Sequence, residues 1–156
     1  MMIKDFIRED LILNPLVANS SDEALKIISD LLYSKKYVKD SFYTALIERE
    51  KHFPTGLLID GINVAIPHTD CVHVINPCIG VGVLQKPINF KNMGNPTEDV
   101  AVDIIFVLAL NEPHGQIELL RQLMTLFQDR ELLESIKSAK NSTETYNVIT
   151  SFESVI

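Results

Sequence analysis

The densest run of chemically useful side chains is Ala65-Ile66-Pro67-His68-Thr69-Asp70-Cys71-Val72-His73. Within it His68 is the residue best suited to nucleophilic work. An imidazole titrates near neutral pH, and its neutral form keeps a free lone pair on one ring nitrogen. Pro67, directly before it, removes a backbone donor and narrows the local backbone. A lone loop histidine ordinarily does no chemistry, so the case for His68 rests on its company.

Three other chemistries compete for the same run. His68, Asp70, Cys71, His73 and His52 all carry metal-ligand atoms, but the two loop histidines lack the i, i+4 helical spacing of H-E-x-x-H. No metal site is expected. A cysteine nucleophile would need a histidine brought in by the fold and a third group to orient it, and Cys71 has neither in view. Cys71 and Cys78 read better as small apolar filler, and their spacing suits neither a disulfide framework nor a zinc C-x2-C pair. The glycines at 56, 61, 80, 82, 94 and 115 form no G-x-x-x-x-G-K-[ST] and no G-x-G-x-x-G. With no nucleotide cradle and no cofactor expected, any phosphoryl group handled here would arrive on another protein.

Two further polar residues stand at predicted helix ends. Arg49 closes the second helix, where a solvated cation paired with Glu48 or Glu50 would complement the dipole. His114 follows Pro113 at the start of a later helix, where backbone N–H groups and the positive dipole end converge. An ordinary surface histidine fits that position equally well.

The elements that must position these groups alternate between two periods. Ser20 and Glu23 form a capping box for a helix over Asp22 to Ser34, with Ala24, Leu25, Ile28 and Leu32 on its apolar face. A second helix starts near Asp40, carries Phe42, Tyr43, Leu46 and Ile47 on one side, and is broken by Phe53-Pro54-Thr55-Gly56. Ile62 to Ile66, Cys78 to Leu84 and Val100 to Leu110 read as strands. Gly80 and Gly82 fall on one side of the middle strand, which predicts close approach by something packed there. Ile117 to Phe127 makes a helical stripe; Asp129 caps a helix over Glu131 to Ser138, and Asn141 or Ser142 caps a last one through Phe152. Helices first, strands in the middle and helices last imply an α/β fold, a mixed β-sheet sandwiched by helices.

Composition narrows the partners. The 156 residues fit one domain spanning 1–156, at about 100–200 residues per domain. With 46% apolar and 22% charged residues, the chain is excluded from disordered, collagenous and low-complexity classes. A net charge of −7 without a basic stripe repels nucleic acid and anionic membranes. The longest apolar run, Ile104 to Leu110, is far short of the roughly 20 residues that span a bilayer, so no membrane insertion is expected. Asp5, Arg8, Glu9 and Asp10 interrupt any apolar signal core. A cytoplasmic protein with reduced thiols is expected.

Several ordered blocks carry a resemblance. Leu46-Ile47-Glu48-Arg49-Glu50, Phe53-Pro54-Thr55-Gly56-Leu57 and Val64-Ala65-Ile66-Pro67-His68-Thr69 resemble the fructose/mannitol-type enzyme IIA domains of the bacterial sugar phosphotransferase system (PTS). Pro87-Ile88-Asn89-Phe90 with Met93-Gly94, then Val102 to Ala109, then His114 with Leu119, Leu120 and Leu123 match the later blocks. The resemblance runs from about Ile12 to Phe152, and the F-P-T-G-L form is similar to galactitol-type members.

The resemblance implies a PTS EIIA type-2 fold and a phosphoryl carrier. The phosphocarrier protein HPr would phosphorylate His68 at Nε2. His68 would pass the group to a cysteine of the IIB component, and a galactitol-like sugar would be phosphorylated as the membrane IIC component transports it. Arg49 and His114 are implied beside His68 as catalytic partners. Arg49 would offer fixed planar donors to the phosphoryl oxygens, and His114 would add another donor. Thr69 could donate its hydroxyl, or could be an ordinary surface-loop threonine. Leu57, Leu58 and Ile59 are candidates for a transient docking surface, or for plain packing. A regulatory, nitrogen-type IIA paralogue that reads out the state of His68 is the alternative function. Either way, an acidic chain that takes up an anionic group must concentrate positive potential around His68.

Overall fold

The computed structural model describes residues 2–59 and 61–152. Five strands, β1 (Ile7–Leu16), β2 (Gly56–Leu57), β3 (Val64–Ala65), β4 (Cys78–Lys91) and β5 (Asp99–Ala109), form one sheet in the order β1-β4-β5-β3-β2. β4 and β5 pair antiparallel, β1 runs parallel to β4, β3 runs parallel to β5, and β2 pairs antiparallel with β3. The sheet is mixed, as the sequence implies.

Helices cover both faces. α1 (Ser21–Ser34) and α2 (Phe42–His52) pack against one face, and α3 (Pro113–Phe127), α4 (Arg130–Ser138) and α5 (Ser142–Thr150) against the other. β5 displays the logic. Ile104, Phe106 and Leu108 join the α3–α5 core while Ile105, Val107 and Ala109 join the α1–α2 core. A strand buried on both sides reads as an unbroken apolar run.

The glycine expectation holds. A Cβ on Gly80 would come within 2.9 Å of Ile28 Cγ2, and one on Gly82 within 2.5 Å of Leu16 Cδ2 and 3.2 Å of Ile28 Cδ1. The capping oxygens are also where expected. Ser20 Oγ accepts from Glu23 N at 3.1 Å, Asp129 Oδ1 from Leu132 N at 3.1 Å, and Asn141 Oδ1 from Glu144 N at 2.9 Å. Glu23 completes its turn by reaching Asn19 N rather than its own cap residue.

The helices-first order is corrected by β1, which precedes α1. Its charges hid it. β1 is an edge strand, its Arg8, Glu9 and Asp10 are exposed, and Pro15 sits near its end. Charge and proline are what protect a sheet edge from further pairing, and they also blur the strand pattern. β4 runs beyond Leu84 to Lys91, through a register shift between Val83 and Ile88 that accommodates Pro87 after β1 pairing has ended. β3 is only two residues long, but its line continues. Ile66 N donates to Thr55 O, and Leu108 N donates to Pro67 O at 3.0 Å. No helix among the described residues is long and apolar enough to cross a membrane.

Candidate functional site

β3 and β5 run parallel, so their carboxyl ends open at the same edge of the sheet. His68 emerges there beside Leu108. Past Leu108 the chain turns through Asn111 and Glu112 into α3, whose first turn reaches back to the His68 loop: Gln116 Nε2 donates to Thr69 O at 3.2 Å. A rigid double strand end and a helix N-terminus thus frame one short loop.

The His68 ring is oriented by the backbone. Nδ1 lies 2.8 Å from Ile66 O. A carbonyl only accepts, so the shared proton belongs to Nδ1 and Nε2 carries the lone pair. Burial pushes the imidazole pKa below its ordinary value; the Ile66 bond opposes this, and the nearby Arg49 charge reinforces it. At neutral pH the ring is therefore a neutral base and nucleophile with a defined outer atom.

Of the two sequence readings of Arg49, the structure departs from the solvated, paired helix-end cation. Arg49 is neither well solvated nor paired with its acidic neighbours. Glu48 bonds His52 Nε2 at 2.9 Å, while Glu50 accepts from both Thr55 N and Thr55 Oγ1 at 2.8 Å. The Arg49 guanidinium instead lies 4.7 Å from the centroid of the Phe53 ring. Its Nε is buried with no hydrogen-bond partner. A planar fork of donors, set over an aromatic face and paired with no carboxylate among the described residues, is suited to a planar or tetrahedral oxyanion. Buried polar groups are ordinarily satisfied, and an orphan of this kind calls for an explanation.

Thr69 is buried, 6% exposed, so the surface-loop alternative does not describe it. His114 is the second residue of α3, exposed, and joined by no hydrogen bond to His68 or Arg49. The structure thus brings Arg49 and Thr69 to His68 and the first turn of α3, and gives the exposed His114 side chain no hydrogen-bond partner among the described residues.

The competing residues are otherwise engaged. His73 Nδ1 bonds Ser41 Oγ at 2.8 Å. Among the described residues no three His, Cys, Asp or Glu side chains converge. Cys78 is fully buried and its thiol is pushed up to about 12, chiefly by burial. Burial and the Asp70 and Glu112 charges raise Cys71 as well, so neither thiol is activated.

Beyond placing both in blocks of the family resemblance, sequence reasoning used Glu50 as an ion-pair partner and Phe53-Pro54-Thr55-Gly56 as a helix breaker. The structure makes both part of the site: Phe53 seats Arg49, and Thr55 receives Glu50. A carboxylate at the helix end and a threonine five residues on, across a proline, was the available signal. Leu57, Leu58 and Ile59 do not flank His68. Leu58 and Ile59 line an apolar groove of about 390 Å³ with Met124 and Phe127, at the far end of α3 from His114.

Residues 5–152 match the family described as the phosphoenolpyruvate-dependent sugar phosphotransferase system, EIIA 2. The galactitol-specific EIIA component of the PTS from Escherichia coli (strain K12) is 31% identical over 114 residues, covering 73% of this chain and 75% of that protein. Among solved structures, the complex of enzyme IIAMTL and phosphorylated enzyme IIBMTL from Escherichia coli matches with a TM-score of 0.76 at 17% identity, over 94% of this chain and 98% of that one. The nitrogen regulatory protein IIA-Ntr from Neisseria meningitidis matches with a TM-score of 0.74 at 21% identity, again over 94% and 98%. At those identities the two structures speak for the fold alone.

Proposed function

Because the chain belongs to the EIIA 2 family of the phosphoenolpyruvate-dependent sugar phosphotransferase system, we propose that it takes a phosphoryl group from phospho-HPr onto His68 and passes it to a IIB cysteine. The delivered group would drive uptake of a galactitol-like polyol through the membrane IIC component. The chain would work as one domain over 1–156, in the cytoplasm, touching neither nucleic acid nor the bilayer.

One observation carries the reading: an uncompensated Arg49 guanidinium near a neutral His68 whose Nδ1 is already bonded. The neutral Nε2 attacks the phosphorus, the bond to the donor breaks, and the donor keeps the electron pair. In the second transfer a IIB thiolate attacks, the Nε2–P bond breaks, and His68 leaves as neutral imidazole with its proton still on Nδ1. A loose phosphoryl transition state asks the protein for positioning and charge stabilisation more than for covalent help. Arg49 supplies two donors to the equatorial oxygens. The Thr69 hydroxyl, the His114 ring and the N–H groups of the first α3 turn add further donors.

The identity to a galactitol-specific component favours sugar transport over the regulatory, nitrogen-type alternative. Incubation with enzyme I, HPr and phosphoenolpyruvate tests the acceptor. The expected result is one acid-labile phosphate that His68→Ala abolishes, and a phosphate that survives that substitution refutes the reading. Transfer onward to a galactitol-type IIB protein tests the transport role.

A further inference from the structure

We infer that Glu50 is a positioning residue: through Thr55 it locks the Arg49 end of α2 onto the segment that carries His68. The inference rests on the phosphocarrier reading for its functional consequence, but the lock itself is visible in the contacts.

Arg49 and Glu50 are neighbours in the last turn of α2. Among the described residues no carboxylate pairs with Arg49, its Nε has no hydrogen-bond partner, and its guanidinium lies over the Phe53 face. Its distance from His68 is therefore set by where the end of α2 lies relative to the β3 segment. Glu50 makes that connection. Its Oε2 accepts Thr55 N–H and its Oε1 accepts the Thr55 hydroxyl, both at 2.8 Å. Thr55 is only 3% exposed. The Thr55 carbonyl accepts Ile66 N–H, and the Ile66 carbonyl accepts His68 Nδ1–H at 2.8 Å. An unbroken chain of hydrogen bonds thus runs from Glu50 through Thr55 and Ile66 to the ring.

The anchor is stiff as well as connected. Gly56, next after Thr55, pairs with Ala65 and accepts from Met93 N at 2.8 Å. A Cβ at Gly56 would lie 2.6 Å from Lys91 O, so β2 is pressed against the end of β4 with no room to slide. Thr55 therefore sits in a fixed frame, and Glu50 bonds α2 to that frame. Losing the bond frees the helix end that carries Arg49, and loosens the strand residue that holds the His68 tautomer.

The test compares Glu50→Ala, Glu50→Gln and Thr55→Val in the whole protein, reading phosphorylation by phospho-HPr and the imidazole 15N signals of His68. Glutamine can still accept Thr55 N–H and donate to Thr55 Oγ1, so Glu50→Gln is expected to stay within about threefold of the parent rate. Glu50→Ala is expected to lose about 10–100-fold, the scale of misplacing a reacting group by an ångström. Its His68 signals should shift from a single Nδ1–H tautomer toward a mixture. Thr55→Val keeps the N–H bond and loses the hydroxyl bond, gives an intermediate loss, and decides the matter if Glu50→Ala does not fold. The inference is overturned if Glu50→Gln is as slow as Glu50→Ala, because the charge would then matter and not the clamp. It is also overturned if rates fall while the His68 tautomer stays unchanged, or if neither rate nor tautomer moves. Should the parent protein take no phosphate at all, the phosphocarrier reading fails, and the His68 signals alone decide the positioning claim.

Discussion

Removing Arg49 should separate stability from function. In the resting protein Arg49 Nε has no hydrogen-bond partner and the side chain forms no ion pair among the described residues, so Arg49→Ala loses mainly its contact with Phe53 and the packing of its stem. A cation over an aromatic ring contributes about 0.5–1 kcal/mol in a partly solvated setting. For a chain of this size 1 kcal/mol moves Tm by roughly 2–4 °C. The transition state differs. Two charge-assisted hydrogen bonds to phosphoryl oxygens, at about 1.5–3 kcal/mol each, amount to roughly a 10²- to 10⁴-fold rate loss. Arg49→Lys keeps the charge but not the planar fork, and should fall between the two. A second signature is independent of phosphate. The Arg49 charge presses the His68 pKa down, so Arg49→Ala should raise it and Arg49→Lys should leave it nearer the parent value. Thermal unfolding, an NMR titration of His68 and single-turnover phosphorylation by phospho-HPr read out the three effects. A Tm loss beyond about 10 °C would mean that Arg49 holds the fold together. A phosphorylation rate within threefold of the parent would remove it from the chemistry.

Two further outcomes are expected. The His68 pKa lies below its ordinary value of 6.5, and the attacking form is the neutral one; phosphorylation should be flat with pH above that value and decline only below it, with a midpoint under 6.5 in a pH–rate profile. Gly82→Ala should cost about 1–3 kcal/mol by overpacking, since its Cβ would meet Leu16 Cδ2 at 2.5 Å and Ile28 Cδ1 at 3.2 Å; urea unfolding measures it, and an unchanged midpoint would mean that α1 and β1 can yield.

Where one periodic signal dominated, the fold was legible in the sequence. The α1 and α3 stripes, the unbroken apolar run of β5 and the glycine pair of β4 all lie close to where their patterns put them, because each helix buries one face at a single period and β5 is buried on both of its faces. β1 escaped because an edge strand needs polar, interrupted residues. β2 escaped because two residues carry no period at all. At the site, His68 stood out by residue type and by its place after a strand. The state of Arg49 did not. Glu48-Arg49-Glu50 reads in one dimension as a self-neutralised triplet, and only the three-dimensional assignment of each acid to another partner reverses that. Leu57–Ile59, read as docking candidates or as plain packing, lie away from His68 for a related reason. Proximity in sequence to His68 is not proximity in space when a short strand and a turn intervene.

That reversal explains how a chain with a net charge of −7 can present a cationic spot without adding cations. The two acids flanking Arg49 are withdrawn from it, Glu48 by His52 and Glu50 by Thr55. Burial raises the Glu50 carboxyl to about 7, so near neutrality it carries less than a full negative charge beside the arginine. The Phe53 face then orients the guanidinium without neutralising it. On the phosphocarrier reading, the modest size of this spot matters as much as its sign. A phosphorylated side chain brings about −1.5 to −2 of charge, against a single arginine, with Asp70 and Glu112 close enough to the same loop to act on Cys71. On that reading Arg49 alone would leave part of the phosphoryl charge uncancelled. A site that cancelled it fully would store phosphate, whereas one that leaves a net repulsion can give it up to the next thiolate.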